Sequence, residues 1–332
     1  MTELEVGQLE EHLLNLKGRR ILVIGDVMLD RYVWGRVSRM SPEAPVPIVE
    51  VEEEASRLGG AGNVAANILA LGAEPLLVGL IGPEGSATNE LLSLMEREGI
   101  STSGLHEDSG RHTSVKTRII AHQQHVVRAD WEDTVPADGE TALGLCKKIT
   151  DALSDADAVI LQDYNKGVLS TDVLENVLPL LNESGLPVTV DPKYERFFEY
   201  RGVTVFKPNL QEVETALGTR LLDDESVAEA ARLLKKRLDT ENVLITRGEL
   251  GMTLLVSDDS VTHVGTRARH VFDVSGAGDT VIATLTSILA AGGDVREATT
   301  LANYAAGVVV GEVGVVVITP EGLLKAVGSG EE

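Results

Sequence analysis

The sequence predicts an α/β protein with a mainly parallel sheet, helices on both faces and a small accessory β layer, the lid. Residues 21–25 form a short apolar run that ends at Gly25 and Asp26, which is typical of a buried parallel strand. From residue 141 onward, helical segments alternate with apolar strand segments, as they do in βαβ units. Two early pairs of short, more polar segments indicate hairpins outside the main sheet.

The first part of the chain supplies the opening strand and both hairpins. Residues 32–37 and 46–51 flank a proline-containing turn at 41–45. The glycine-rich segment 59–63 opens a small-residue helix to about residue 71, which Gly72 ends as a C-terminal glycine does. A strand over 76–81 and a helix over 87–98, closed by Gly99, follow. Residues 113–121 and 125–129 form the second predicted hairpin.

The later part of the chain repeats helix and strand. A helix over 141–153 precedes a strand over 158–161, and a helix over 172–182 precedes a strand over 188–190. Helical segments over 210–217 and 226–238 lead to a strand over 243–245. Residues 251–256 and 260–264 predict a late antiparallel hairpin, and helices over 277–291 and 295–310 follow. We expect one domain over 1–332, with the lid at about 31–58 and 110–130.

The composition excludes several classes of protein. A formal net charge of -23 repels nucleic acid and anionic lipid, so neither is an expected partner. Cys146 is the only cysteine, which rules out an internal disulfide and favours a small buried apolar side chain. Residues 1–18 lack the apolar segment of a signal peptide, and no apolar run is long enough to cross a bilayer. We expect a soluble, cytoplasmic protein.

The strongest local motif is Asp273–Thr280, which reads Asp-Val-Ser-Gly-Ala-Gly-Asp-Thr and lies between a strand and a helix. Its small residues Gly276, Ala277 and Gly278 let several backbone N–H groups point at one anion, and the helix dipole favours negative charge there. Asp279 beside this cradle is a candidate base for an attacking hydroxyl. The alternative is that Asp279 only complements the helix dipole.

A second motif, Lys207–Glu212, reads Lys-Pro-Asn-Leu-Gln-Glu. Asn209 with Glu212 three residues later matches a capping box at a helix start. The functional interpretation is that both side chains face phosphates through Mg²⁺ and its waters. From the residues alone, capping is the stronger interpretation.

A third group of residues suits sugar hydroxyls. Asp26 and Asp30 follow the first strand, and the segment 59–63 contains Asn63 among glycines. A carboxylate accepts two hydroxyls, and an amide both donates and accepts. The alternative for the glycines is a close helix–sheet contact.

A fourth observation concerns charge. Residues 109–129 contain no acidic side chain, although the chain holds 52 of them, and carry Arg111, Lys116, Arg118 and Arg128. Further arginines occupy the first hairpin. A basic lid in an acidic protein predicts an anionic ligand such as a sugar phosphate. The alternative is an exposed hairpin that uses basic side chains to protect its edges.

Together and in this order, these motifs resemble the ribokinase-like (PfkB) carbohydrate kinases over nearly the whole chain. The segment 59–63 is similar to that family's first signature, and 273–279 to its second, usually D-T-x-G-A-G-D, with Val274 in place of Thr. The resemblance implies a doubly wound sheet with a β lid. It also implies an ATP-dependent kinase with Asp279 as base and Gly276–Gly278 as anion hole.

The resemblance also implies binding partners for the remaining motifs. Mg²⁺ and ATP are expected near Asn209 and Glu212, with Glu212 reaching the metal through water, and a monovalent cation such as K⁺ near the anion hole is an open alternative. Many members of the family dimerise through their lids, so a homodimer is expected. The adenine is expected near residues on the late hairpin and final helices: Thr246, Gly248, Gly251 and Asn303.

A narrower resemblance is to kinases that phosphorylate D-glycero-D-manno-heptose 7-phosphate at C1, an early step toward lipopolysaccharide heptose. It rests on the segments 25–32, 38–47, 163–167, 191–193 and 305–311. Gln162 stands where serine is expected. In many bacteria such a kinase is fused to a nucleotidyltransferase domain; because this sequence stops at Glu332, soon after the kinase region, a stand-alone kinase or an excised kinase half without that domain is expected. The implied substrate contacts, with the basic residues as candidates for its phosphate, are Asp30, Gly59, Gly60, Asn63, Lys116, Arg118, Asp163, Lys166, Asp191 and Lys193.

Two alternatives remain open. One is a kinase of the same family for another sugar phosphate or for a nucleoside. The other is an inactive sensor of a sugar phosphate or nucleotide, although such relatives usually lose the base or an anion-hole glycine, and this chain keeps both.

Overall fold

The computed structural model describes residues 6–122, 124–268, 271–312 and 314–329. The strands in this part of the chain are β1 (Arg20–Gly25), β2 (Val27–Met40), β3 (Pro47–Gly60), β4 (Glu74–Ile81), β5 (Leu105–Glu107), β6 (Ser114–Ala121), β7 (Gln124–Trp131), β8 (Ala158–Gln162), β9 (Val188–Asp191), β10 (Val205–Phe206), β11 (Asn242–Thr246), β12 (Met252–Leu255) and β13 (Val261–Val264). Its α-helices are α1 (Val6–Asn15), α2 (Ala61–Leu71), α3 (Ser86–Glu98), α4 (Gly139–Leu153), α5 (Thr171–Glu183), α6 (Leu210–Leu217), α7 (Asp224–Leu238), α8 (Ala277–Ala290), α9 (Val295–Val309) and α10 (Pro320–Gly328).

The main sheet has the strand order β13-β12-β11-β10-β9-β8-β1-β4-β5. The strands from β11 to β5 pair in parallel, and β12 and β13 add an antiparallel edge. The order reverses beside β1, as in doubly wound folds. This architecture confirms the predicted fold class, including the late hairpin.

The core lies on both faces of this sheet. Ile21 and Val23 of β1 belong to one hydrophobic cluster, which includes side chains of α2, α8 and α9. Leu22 and Ile24 belong to a second cluster with side chains of α4, α5 and α7. Successive side chains of a strand point to opposite faces, so a continuous apolar run such as β1 serves two helical layers.

The lid is a four-stranded sheet in the order β3-β2-β6-β7. Strands β2 and β3 are each 14 residues long, so they exceed the predicted segments 32–37 and 46–51. Two register shifts, at Trp34/Gly35 and Val37/Arg39, interrupt the regular alternation along β2. A register shift interrupts the alternation of buried and exposed side chains from which a strand is predicted. The predicted segments are therefore too short, although the pairing of β2 with β3 continues to Met40.

Two further expectations concern single features. Among the described residues, no helix has the length and apolar character that crossing a membrane requires. Cys146 is half-buried and packs against the cluster under α4, so it is less enclosed than expected.

Candidate active site

The carboxyl ends of neighbouring parallel strands meet at one edge of the main sheet. Gly25 at the end of β1 pairs with Gln162 at the end of β8, and Gln162 pairs with Asp191 at the end of β9. A Cβ on Gly25 would lie 2.1 Å from the carbonyl oxygen of Gln162, so only glycine fits there. In open α/β sheets ligands bind outside this edge.

The anion cradle forms at the N-terminus of α8. Gly276 caps this helix in the left-handed conformation with φ 79°, and no side chain satisfies the first N–H groups. A Cβ on Gly276 would lie 2.9 Å from Asn63 Nδ2, and one on Gly278 would lie 3.7 Å from Asp191 Oδ2. The glycines thus leave room for an anion beside the strand ends and beside the N–H groups that open α8, of which that of Ala277 donates to Val274 O at 3.2 Å.

Asp279 lies in the first turn of α8, and its side chain is buried. Asn63 Nδ2 donates to Oδ2 at 2.8 Å, whereas Gln162 Nε2 and the Tyr164 hydroxyl donate to Oδ1 at 3.0 and 2.7 Å. Burial raises the pKa of Asp279 to about 7, and the hydrogen bonds oppose this rise. A carboxylate that titrates near neutral pH is suited to accept a proton from a hydroxyl.

Asp30 and the segment 59–63 lie at the root of the lid. Asp30 accepts a hydrogen bond from Arg118 of β6, and a Cβ on Gly59 would lie 2.5 Å from Asp30 Oδ2. Gly60 has φ 56°, and a Cβ there would lie 2.3 Å from the carbonyl oxygen of Asp26. These glycines therefore allow a close approach of the paired strands β2 and β3, not the predicted contact of a helix with the sheet. Asn63, in the helix that follows, reaches Asp279.

Asn209 and Glu212 form the predicted capping box of α6. The Asn209 side chain accepts from Glu212 N at 2.9 Å, and Asn209 N donates to Glu212 Oε2 at 2.8 Å. The other oxygen of Glu212 pairs with Lys193. Burial, reinforced by Asp191, raises the pKa of the Glu212 carboxyl.

The groups bonded to Glu212 decide how this residue could hold the Mg²⁺ ion that the motif implies. No group of three or more His, Cys, Asp and Glu that could hold a metal occurs among the described residues. Mg²⁺ commonly keeps several waters and binds one or two carboxylates with substrate phosphates. Because both oxygens of Glu212 already have partners, the donor set fits contact through water, with Glu212 as the residue that would hold the ion.

A cleft of about 460 Å³ lies between the 266–268 segment and the last two helices. Its walls include Arg267, whose guanidinium carbon is 4.9 Å from the ring centroid of Tyr304, and Gly307 of α9. Asn303 donates to the carbonyl oxygen of Gly265 at 2.8 Å and so holds the cleft wall. The volume of the cleft lies within the range of small-molecule sites.

The other residues predicted for the nucleotide lie at the end of β11. Thr246 forms an isolated parallel bridge with Asn209, which places it beside the capping box. Gly248 and Gly251 have φ of 59° and 80°, and a Cβ on Gly251 would lie 2.0 Å from the carbonyl oxygen of Val264. Gly251 therefore makes a tight turn into β12 possible.

The basic residues fall into two groups. Arg36 of β2 pairs with Glu50 of β3, so the prediction of a basic lid is wrong for its β2–β3 half, where β3 supplies neutralising acids. Arg118 of β6 pairs with Asp30 of β2. Two lysines instead share one carboxylate: Lys166 Nζ is 2.6 Å and Lys116 Nζ 3.8 Å from oxygens of Glu132. Two ammonium groups on one carboxylate leave a local positive charge.

Asp163 is not brought into this site. The Tyr200 hydroxyl donates to its Oδ2 at 2.6 Å, and Asn165 N donates to its Oδ1 at 2.7 Å. The side chain is buried, with both oxygens bonded inside the protein. Asp163 therefore supports the loop after β8 through both of its oxygens.

Three residues that the motifs did not mark as functional surround the base. Gln162 and Tyr164 donate to Asp279, and Lys207 pairs with Asp191 at 3.0 Å while its side chain is almost fully buried. Burying an ammonium group costs free energy unless a carboxylate pairs with it. The buried pair of Lys207 with Asp191 therefore indicates that Lys207 belongs to the candidate site.

Comparisons with known proteins agree with this geometry. A model of the pfkB family carbohydrate kinases matches residues 19–321. The bifunctional protein HldE of Syntrophotalea carbinolica is 42% identical over 318 residues, which cover 96% of this chain and 65% of that protein. That of Caulobacter sp. is 46% identical, with 92% of this chain and 62% of that protein covered. The chain thus spans less than two thirds of these relatives.

Solved structures share the fold at low identity. Phosphofructokinase-2 from Escherichia coli in complex with potassium has a TM-score of 0.78 at 18% identity, with 95% of this chain and 100% of that chain covered. Arabidopsis thaliana ribokinase complexed with ribose and ATP has a TM-score of 0.72 at 18% identity, with 94% and 99% covered. Since the family model matches nearly the whole chain, the protein belongs to the pfkB family of carbohydrate kinases.

Proposed function

We propose that this carbohydrate kinase transfers the γ-phosphoryl group of ATP to C1 of D-glycero-D-manno-heptose 7-phosphate and so forms the 1,7-bisphosphate. The buried base Asp279 and the cradle at Gly276–Gly278 support phosphoryl transfer. The segments 38–47 and 163–167, which resemble heptose 7-phosphate kinases, support the choice of sugar.

The single observation that carries the choice of a phosphorylated sugar is the position of Lys116. Its Nζ lies 5.9 Å from the ring centroid of Tyr164, whose hydroxyl donates to Asp279. Together with Lys166 it forms a cationic site, and Tyr164 lies between Lys116 and the proposed base. A sugar with its reacting hydroxyl at one end and a phosphate at the other fits this arrangement, and charge-assisted hydrogen bonds would hold the phosphate.

In the proposed reaction, Asp279 accepts the proton of the C1 hydroxyl. The hydroxyl oxygen forms a bond to the γ-phosphorus as the bond to the β-phosphate oxygen breaks, and ADP leaves. The N–H groups at the start of α8 stabilise the charge on the transferred group. Mg²⁺, when bound, neutralises charge on the β- and γ-phosphates.

An acceptor panel tests the proposal. Purified protein with ATP and Mg²⁺ is given the two anomers of heptose 7-phosphate, fructose 6-phosphate, ribose and adenosine, and products are identified by ³¹P NMR. We expect turnover of one heptose anomer with a new phosphate at C1. Turnover of fructose 6-phosphate or adenosine without turnover of heptose 7-phosphate would show that the acceptor is wrong, and no turnover at all would favour a sensor.

The proposal includes the organisation of the protein. The nine-stranded order of the main sheet supports a single kinase domain with a lid. Two chains are proposed to pair through their lids, because β7 is an edge strand with Val127 and Trp131 exposed by 50% and 65%. Exposed apolar side chains on a sheet edge favour pairing with another strand.

A further inference from the structure

The hydrogen bonds to Asp279 are unequally distributed over its two oxygens. Oδ1 accepts from Gln162 Nε2 and from the Tyr164 hydroxyl, whereas Oδ2 accepts from Asn63 Nδ2. Each carboxylate oxygen has two lone pairs for hydrogen bonds. Oδ1 is thus saturated, and among the described residues Oδ2 has one donor and can take a second.

Oδ2 is the oxygen of Asp279 whose donor, Asn63, lies against the glycine that opens the anion cradle. Asn63 Nδ2, the donor to Oδ2, is 2.9 Å from the place where a Cβ on Gly276 would be. A hydroxyl that donates to Oδ2 would therefore stand beside the N-terminus of α8. A hydroxyl that competed for Oδ1 would have to displace Tyr164 or Gln162.

Tyr164 is held in place from both ends. Its backbone N–H donates to Asp26 Oδ2 at 2.7 Å, and Asp26 also accepts from Lys166 N and Val168 N at 3.0 and 3.1 Å. Its ring lies 5.4 Å from Lys193 Nζ and 5.9 Å from Lys116 Nζ. Such cation–π contacts stabilise the ring orientation between the two ammonium groups.

We propose that Tyr164 is a positioning residue for the base: its hydroxyl saturates Oδ1 of Asp279 so that Oδ2 receives the sugar proton, and its ring links this arrangement to the lysines. The role of the lysines rests on the proposed function; the hydrogen bond to the base does not. Burial raises the pKa of Tyr164 well above its ordinary value, so the hydroxyl stays protonated and remains a donor throughout the neutral range.

The first test needs no sugar. A donor to a carboxylate favours its charged form, so Tyr164→Phe should raise the pKa of Asp279 above its value of about 7. The other charged groups near Asp279, namely Asp191, Lys207 and Lys193, remain in the variant. Protein labelled with ¹³C at aspartate carboxyls is titrated by NMR, with the Asp279 signal assigned as the one that is lost in Asp279→Asn.

We expect the midpoint for Asp279 to move up by about one pH unit, a tenfold change in the proton-binding constant. Tyr200→Phe is the matched control, because it removes a buried tyrosine hydroxyl bonded to another aspartate, Asp163. That variant should lose stability in urea without moving the Asp279 midpoint. An unchanged midpoint in a folded Tyr164→Phe protein, or an equal movement in both variants, would refute the role of Tyr164.

The second test separates the hydroxyl from the ring. Tyr164→Phe keeps the ring, so it should move the acid limb of the kcat/KM profile up by about one pH unit with KM for the sugar phosphate within about twofold of wild type. Tyr164→Leu also loses the ring and should raise that KM about tenfold. Equal KM values for the two variants would overturn the link to the lysines, and the NMR result would still decide the role of the hydroxyl.

Discussion

Asp279 combines two demands that oppose each other. In the proposed reaction it must be shielded from water to act on a hydroxyl beside ATP, yet shielding disfavours its charged form. The three donors Asn63, Gln162 and Tyr164 compensate for part of the lost hydration. The result is a carboxyl group whose pKa, about 7, suits a general base that works near neutral pH.

Asp279→Asn should lower turnover by roughly 10²–10⁴-fold, the contribution of a positioned general base.

The same change tests the raised pKa of Asp279 through the stability of the protein. As the pH rises from about 4 to about 7, the unfolded chain releases this proton while the folded protein retains it, so this group makes wild type progressively less stable. Asp279→Asn has no ionisable carboxyl at this position, so its stability does not fall with pH for this reason.

Urea unfolding of both proteins between pH 5.5 and 8 measures the difference. The free energy of unfolding of the variant relative to wild type should increase with pH and level off above about 7. A pH-independent difference would mean that the carboxyl of Asp279 has an ordinary pKa, and retained turnover would mean that Asp279 is not the base.

Among the elements, β7 contrasts most with its surroundings. All its residues are exposed, whereas β1 and β8 are almost entirely buried. It leaves one edge of the lid unpaired in a single chain. An exposed apolar edge strand is a place for a second chain to pair, which is why the proposed dimer uses it.

Val127→Lys should therefore dissociate the proposed dimer, because it places a charge on the apolar part of β7. Sedimentation equilibrium should give twice the 35.4 kDa chain mass for wild type and about one chain mass for the variant. Leu143→Lys in α4 is the matched control, since Leu143 is equally apolar and exposed by 69% but lies far from the lid. A monomeric wild type, or dissociation by both changes, would contradict pairing through β7.

For the molecule as a whole, the site depends on bringing the lid to the main sheet. Lys116 belongs to β6 of the lid, Lys166 to the loop after β8, and Glu132 follows β7. Burial lowers the pKa of Lys116, and Glu132 opposes this change. A phosphate that replaced this shared carboxylate as partner would join the two sheets.

Lys116→Ala and Lys166→Ala should each raise KM for the sugar phosphate by roughly ten- to a hundredfold, the loss of one hydrogen bond to a charged group. KM for ATP should stay within about twofold, because the cleft proposed for the nucleotide lies at α9 and α10. Lys147→Ala is the control, as Lys147 pairs with Asp151 on the exposed face of α4. Equal increases in KM for the sugar phosphate and for ATP would contradict a specific contact of these lysines with the phosphate of the sugar.

Local patterns account for much of the fold. The apolar run of β1, the glycines after α2 and α3, and the capping box of α6 depend on interactions within a few residues, so the sequence predicts them directly. The cradle and the base are also local, since Gly276 and Asp279 lie in one turn of one helix. These features follow from backbone sterics and from the period of apolar residues.

The partners of the base are not local. Tyr164 and Asp279 are 115 residues apart, and Asn63 and Asp279 are 216 apart, so only the strand order brings them together. The same holds for the basic residues, which look alike in the sequence until the fold gives Arg118 an aspartate and leaves two lysines to share Glu132. Charge pairing depends on distances in space, and those distances are decided by the packing of the lid against the sheet.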